Sequence, residues 1–204
     1  MTATFPNFLG PDGREIVFRG QLRTNDPSRQ SGIFAIHPDG SGLRRLTPTD
    51  GDGDNGYMFP QPSPDGRHVA YTVWDVTDNQ LRMHLLDLTN GGDRVLDLSG
   101  GESEGFATFS PDSNRILFLT YTGDRDRIKV APVDGSSRPL AMGPSYLIVD
   151  GQYITGAFSP DGTSVIINDP ATKETRLIDA ATGGDGRVLP WAADGGTAWQ
   201  RLAP

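Results

Sequence analysis

The stretch TDGDGDNGYM carries three alternating carboxylates, Asp50, Asp52 and Asp54, with Asn55 and Gly56 behind them. Alternating acidic side chains are how calcium loops bring hard oxygen ligands onto one ion. A helix–loop–helix calcium loop starting at Asp50 should have glycine at its sixth position and glutamate at its twelfth. Asn55 and Gln61 stand there instead. The same residues also suit a flexible acidic connector kept in water by its glycines. Calcium held by Asp50, Asp52, Asp54 and Asn55 is the cofactor candidate, and no other cofactor is expected.

Ser63, Ser110 and Ser159 each precede a Pro-Asp pair. A hydroxyl beside a carboxylate is raw material for nucleophilic catalysis, but that chemistry needs an activating base in reach. One Gly-x-Ser-x-Gly occurs, at Gly101-Glu102-Ser103-Glu104-Gly105, but no α/β segment flanks it to build a nucleophile elbow. Catalytic groups seldom repeat unit by unit, so these serines, like Asp12, Asp65, Asp112 and Asp161, read as turn residues. The histidines, 37, 68 and 84, share no motif and read as strand or surface residues, not as a metal cluster. No catalytic residue is expected. Tyr57, Trp74 and Tyr121 lie at or just before loops. Aromatic residues so placed can anchor a partner or pack over a sheet edge.

These residues sit in a repeat. FLGPDGREIVF, QPSPDGRHVAY, TFSPDSNRILF and AFSPDGTSVII share one pattern, with Pro11, Pro64, Pro111 and Pro160 spaced 53, 47 and 49 residues apart. A second landmark, Arg-x-Leu, follows each at Arg44/Leu46, Arg94/Leu96, Arg138/Leu140 and Arg187/Leu189. Periods of this length mark arrays of similar units. In the turn, proline pre-sets φ, aspartate accepts from a nearby backbone N–H and glycine tolerates the exit geometry. Ser113 replaces that glycine in the third unit, a mild departure for a type I turn.

An apolar run follows each turn, such as Ile116-Leu117-Phe118. Neighbouring side chains on a strand point to opposite faces, so a run apolar at every position is covered on both sides. A third strand comes next, then a glycine-bearing hairpin (PDGSG, TNGGD, VDGSS, ATGGD) and the Arg-x-Leu strand. With the short strand before the proline, each unit is four antiparallel strands. A sheet apolar on both faces needs a neighbour on each side. Radial repetition supplies one, which predicts an all-β fold, a β-propeller of about four four-stranded antiparallel blades.

Composition agrees. Glycine (26) and proline (16) are abundant and hydrophobic residues make up 35%, which suits short strands and turns. A net charge of −8 repels phosphate backbones, so nucleic acid is not expected as a partner. The absence of cysteine removes disulfides and thiol catalysis. No apolar run is long enough to span a bilayer, so membrane insertion is not expected. The start, MTATFPNFLG, does not read as a signal peptide.

Ser-Pro-Asp-Gly before an apolar strand, with Arg-x-Leu closing the unit, resembles the TolB-like propellers, also described as WD-like Pro-Asp repeats. The resemblance runs from Phe5 to Pro204, and Phe158-Ser159-Pro160-Asp161-Gly162 is its closest match. It implies the blade and is silent on the ligand. The family's name-giving member is periplasmic and assists an envelope protein complex. Other members are joined to peptidases of the prolyl oligopeptidase type, to lyases or to signalling proteins. Some related lyases hold a metal through histidine in the channel, but His68 and His84 stand at different strand positions here.

The expected organisation is one propeller domain over 1–204, with blades at 5–58, 59–106, 107–154 and 155–198. The tail 199–204 is an extra strand, since WQRLAP aligns with FPQPSP and Trp199 falls where Phe59 stands. TFPNFL before Pro11 competes for the same slot. The tail then closes a small ring, or lies on an outer edge, or the chain is an incomplete arc of a larger propeller, six-bladed as is common in the family. An incomplete arc exposes apolar faces and self-associates.

The function read from these features is a non-catalytic scaffold binding a protein, peptide or glycan through its loop face. The alternatives are the propeller part of an enzyme, either a gating domain beside a peptidase or a diverged polysaccharide lyase, and a truncated remnant of a larger TolB-like protein. If Met1 is the native start the protein is cytoplasmic. If an exported N-terminal part is missing it is periplasmic or extracellular.

Overall fold

The structure is a computed structural model that describes residues 2–9, 15–21, 31–47, 56–147 and 154–191, with backbone alone for 2–9 and Gln21. The turn at Pro11 and the tail from Trp199 to Pro204 lie outside the described residues.

Every described element is a strand. The first sheet contains β1 (Thr2–Leu9), β2 (Ile16–Gln21), β3 (Ser31–Ile36) and β4 (Arg44–Arg45). The second contains β5 (Tyr57–Pro62), β6 (His68–Asp75), β7 (Gln80–Asp87) and β8 (Asp93–Val95). The third contains β9 (Ser103–Phe109), β10 (Arg115–Thr122), β11 (Arg125–Pro132) and β12 (Leu140–Leu147). The fourth contains β13 (Thr155–Phe158), β14 (Ser164–Asp169), β15 (Glu174–Asp179) and β16 (Arg187–Val188). In each sheet the strands neighbour one another in chain order, and all four sheets are antiparallel meanders. The chain forms two compact units. One holds the first two sheets together with Glu104–Ala107, and the other holds the rest.

The second strand of each sheet carries the core. Val69 to Val73 on β6 and Ile116 to Thr120 on β10 are buried at five consecutive positions, so both faces of these strands are covered. In the first unit, Val17 and Ile33 share one apolar cluster with Val69, Tyr71, Val73 and Leu86. In the second unit, a Cβ built on Gly156 of β13 would stand 3.3 Å from Leu117 Cδ2 and 3.5 Å from Ile128 Cδ1. Glycine there lets the fourth sheet close onto the third.

The Arg-x-Leu landmark works through its leucine. Leu46, Leu96 and Leu189 each donate a backbone N–H to the third strand of their own sheet, at Ile33, Met83 and Thr175, over 2.7–2.8 Å. The third sheet differs, because Arg138 precedes the strand and β12 begins at Leu140. This strand is eight residues long, where the other fourth strands have two or three.

Candidate functional site

The serine and aspartate of each described Ser-Pro-Asp turn are hydrogen-bonded to each other and to the turn itself. Ser63 Oγ donates to Asp65 Oδ1 at 2.6 Å and accepts from His68 N at 2.9 Å. Ser110 repeats this with Asp112 and Arg115 N, and Ser159 with Asp161 and Ser164 N. Each aspartate also accepts a backbone N–H two residues on. The serines are 0%, 0% and 6% exposed. Their hydroxyls are therefore occupied in holding the turn. The Ser159 hydroxyl, then the Thr163 N–H, hold the Asp161 carboxyl below the ordinary aspartate range.

The residue after the aspartate, fourth in this turn, is left-handed, with φ of 73° at Gly66, 63° at Ser113 and 71° at Gly162. Ser113 is thus more than a mild departure. A side chain in this region costs on the order of 1–2 kcal/mol.

Trp74 and Tyr121 occupy one repeat position, ten residues after Pro64 and Pro111. Each stands at the end of its second strand, entering the hairpin to the third. Trp74 is 37% exposed and Val76 beyond it 65%. That hairpin is pinned by Thr77 N donating to Asp75 Oδ1 at 2.9 Å and by the Arg82–Asp78 ion pair. Tyr57 opens β5 and packs on the first unit's core cluster, with its ring centroid 5.9 Å from that of Tyr71. Tyr121 is half-buried and stands directly opposite Asp126 on β11. Asp50, Asp52, Asp54 and Asn55, the calcium candidate, lie outside the described residues.

Two arrangements were not visible in the sequence. The first joins Tyr71, Asp93 and His84. Tyr71 Oη donates to Asp93 Oδ2 at 2.5 Å, His84 Nδ1 lies 3.4 Å from Asp93 Oδ1, and the imidazole stacks on the Tyr71 ring. Burial works to raise the Asp93 carboxyl, but the bonds from His84 and Tyr71 outweigh it and hold it low. His84 is therefore tied into the outer half of the sheet. The second is Asp126, 8% exposed, whose carboxyl is pushed up by burial. Among the described residues, no group of three or more His, Asp or Glu side chains converges to hold a metal.

Phe59 and Phe106 also share a repeat position, five residues before Pro64 and Pro111. Both have φ of 51°, and their rings stack with centroids 4.0 Å apart within the first unit. Phe59 sits in the irregularity of the β5–β6 register between Met58 and Gln61.

Four repeated, four-stranded antiparallel meanders, buried on both faces of their second strands, define a β-propeller fold. The chain is similar to TolB from Acinetobacter baumannii, with a TM-score of 0.63 and 17% identity over 88% of this chain and 41% of that one. It is similar to an oligogalacturonate lyase in complex with manganese, with a TM-score of 0.63 and 14% identity over 94% of this chain and 53% of that one. A nidogen/laminin complex also matches, with a TM-score of 0.59 and 15% identity over 86% of this chain and 59% of that one. The chain thus spans about two-fifths to three-fifths of these three chains. No protein-family model matches it.

Proposed function

We propose that this chain is a non-catalytic β-propeller scaffold of the TolB-like Pro-Asp repeat kind, binding a protein or peptide partner at the hairpins between second and third strands. The observation that carries this reading is the exposure of Trp74 and Val76 at the tip of a strand whose preceding five residues are buried. The fold does not require an apolar pair there, and water disfavours it. A partner surface that covers the indole recovers that cost. The hairpin beneath is pinned, so little ordering remains to be done on binding. The likeness to a nidogen/laminin complex, a structure of two proteins, supports a protein partner.

The Ser-Asp pairs support the non-catalytic part, since their hydrogen bonds are committed to turns. The likeness to an oligogalacturonate lyase favours the second reading, an enzyme's propeller. Affinity capture from source cells, compared across variants, tests the first. Wild type and Thr89→Ala, at the other end of β7, should recover the same partner, and Trp74→Ala/Val76→Ser should lose it. Equal recovery by that double variant overturns the proposal. So does turnover of oligogalacturonate by the purified chain with added manganese.

A further inference from the structure

At the register position where the second sheet sets Leu81 against Trp74, the third sheet sets Asp126 against Tyr121. An apolar residue fills this place in one blade, so packing does not call for a carboxylate in the other. In the third sheet the fourth strand extends over this position. After Met142 pairs with Ile128, β12 bulges through Gly143, Pro144 and Ser145 and then resumes pairing, with Tyr146 opposite Asp126. Directly opposed residues share a sheet face, with Cβ atoms about 5 Å apart. Tyr121, Asp126 and Tyr146 therefore form one row across three strands, at the hairpin end of the blade.

Among the described residues, one oxygen of this carboxylate is left without a partner. Asp126 Oδ1 is sealed from solvent and accepts no hydrogen bond among the described residues. The Tyr146 hydroxyl is directed to the Met142 carbonyl at 3.3 Å. Arg127, next to Asp126 on β11, is exposed, and three other cations nearby are engaged elsewhere. Arg125 donates to Ser145, Lys129 to Glu102, and Arg176, across in the fourth sheet, to Glu174 and the Asp185 carbonyl. Burial alone acts on the Asp126 carboxyl, and it raises its pKa. An unpaired buried carboxyl oxygen in a row with two tyrosines is costly to keep. It is also suited to a cation, which an acid oxygen and aromatic faces attract together.

We propose that the Tyr121–Asp126–Tyr146 row receives a lysine or arginine side chain of the partner, with the half-buried Tyr121 ring turning aside to admit it. This rests on the scaffold reading and adds the chemistry of what is read: a cationic side chain, drawn to a chain of net charge −8.

The test is titration calorimetry with an acetylated (Lys-Gly)6 peptide and its fully Nε-acetylated counterpart, on the whole chain. The cationic peptide should bind and the neutral one should not. Asp126→Asn should weaken binding by roughly tenfold, the worth of one charge-assisted hydrogen bond. Asp124→Asn, which removes the same charge from the exposed hairpin, should change it by less than about twofold. Asp126→Asn should also melt no lower than wild type, which separates lost binding from lost fold. If that variant fails to fold, Tyr121→Leu decides, with an expected loss of about threefold from the missing ring. No binding by wild type, equal effects of the two Asp variants, or unchanged affinity in Tyr121→Leu overturns the inference. In those cases a partner whose capture still depends on Trp74 leaves the scaffold reading standing.

Discussion

The Arg115 guanidinium, at the start of β10, donates to the Gly162 carbonyl of the fourth sheet's Pro-Asp turn at 2.6 Å. It also donates to the Ala180 carbonyl at 3.1 Å and lies 5.4 Å from the centre of the Phe158 ring. One side chain thus ties the third sheet to the turn and to the end of the third strand of the fourth. Its repeat equivalents are Glu15, His68 and Ser164, so the clamp belongs to this blade pair and not to the repeat. Arg115→Ala should lower stability by about 2–3 kcal/mol, from two charge-assisted bonds and a ring contact. Arg115→Lys should recover only part of it, because an ammonium lacks the fork that reaches both carbonyls. Urea unfolding measures both.

Gly143 and Gly162 separate two reasons for glycine. Both are left-handed, with φ of 82° and 71°. A Cβ on Gly162 would meet Arg115 Nη2 at an ordinary 3.4 Å, whereas one on Gly143 would overlap the Tyr146 hydroxyl. Gly162→Ala should cost about 1 kcal/mol, from backbone strain alone. Gly143→Ala should cost more, about 2–4 kcal/mol, because a fully buried tyrosine must move as well. It should also weaken the lysine-peptide binding described above. Ser113→Gly should relieve the same strain at the third turn, with chemical denaturation as the readout.

Removing a turn hydroxyl should reveal its share of the acid response. Ser159→Ala leaves the Ser164 N–H and Asp161 without their shared partner, at a cost of about 1–2 kcal/mol. Asp161 is held low in the folded state, so its contribution is present above its unfolded pKa, about 3.9. It is lost as pH falls through the lower folded value. In Ser159→Ala that carboxyl should titrate closer to the ordinary value. Carboxyl NMR titration reads this directly, and an unshifted Asp161 contradicts the turn account.

Trp74 and Tyr57 should part company in stability. Tyr57 packs on the buried cluster around Tyr71 and Val73, and Tyr57→Ala should cost about 2 kcal/mol or more. Trp74 is over a third exposed, and Trp74→Ala should stay within about 1 kcal/mol of wild type. Thermal melts of the two variants check this, and they decide whether Trp74 can be changed without disturbing the blade.

The sequence announces what is local and repeated. A Pro-Asp turn needs only four residues, so Pro64, Pro111 and Pro160 mark three sheet corners without any tertiary knowledge. The apolar runs behind them state that both faces are buried. Distant contacts are not written this way. Asp93 meets Tyr71 across 22 residues and through an intervening strand, and nothing near either residue signals the other. Asp126 meets Tyr146 because three residues of β12 bulge out of register, and a one-residue difference in that bulge would send Tyr146 to the other face. Arg138 shows the converse, a motif in the expected place that lies outside the strand it was expected to open.

The recognition claim is most directly tested by placing a photo-crosslinking amino acid at Val76 and, separately, at Thr89, at the two ends of β7, and irradiating source cells. The account predicts a discrete protein adduct from Val76 that disappears with Trp74→Ala, and none from Thr89. An adduct from Thr89 with none from Val76, or equal adducts indifferent to Trp74, would contradict it.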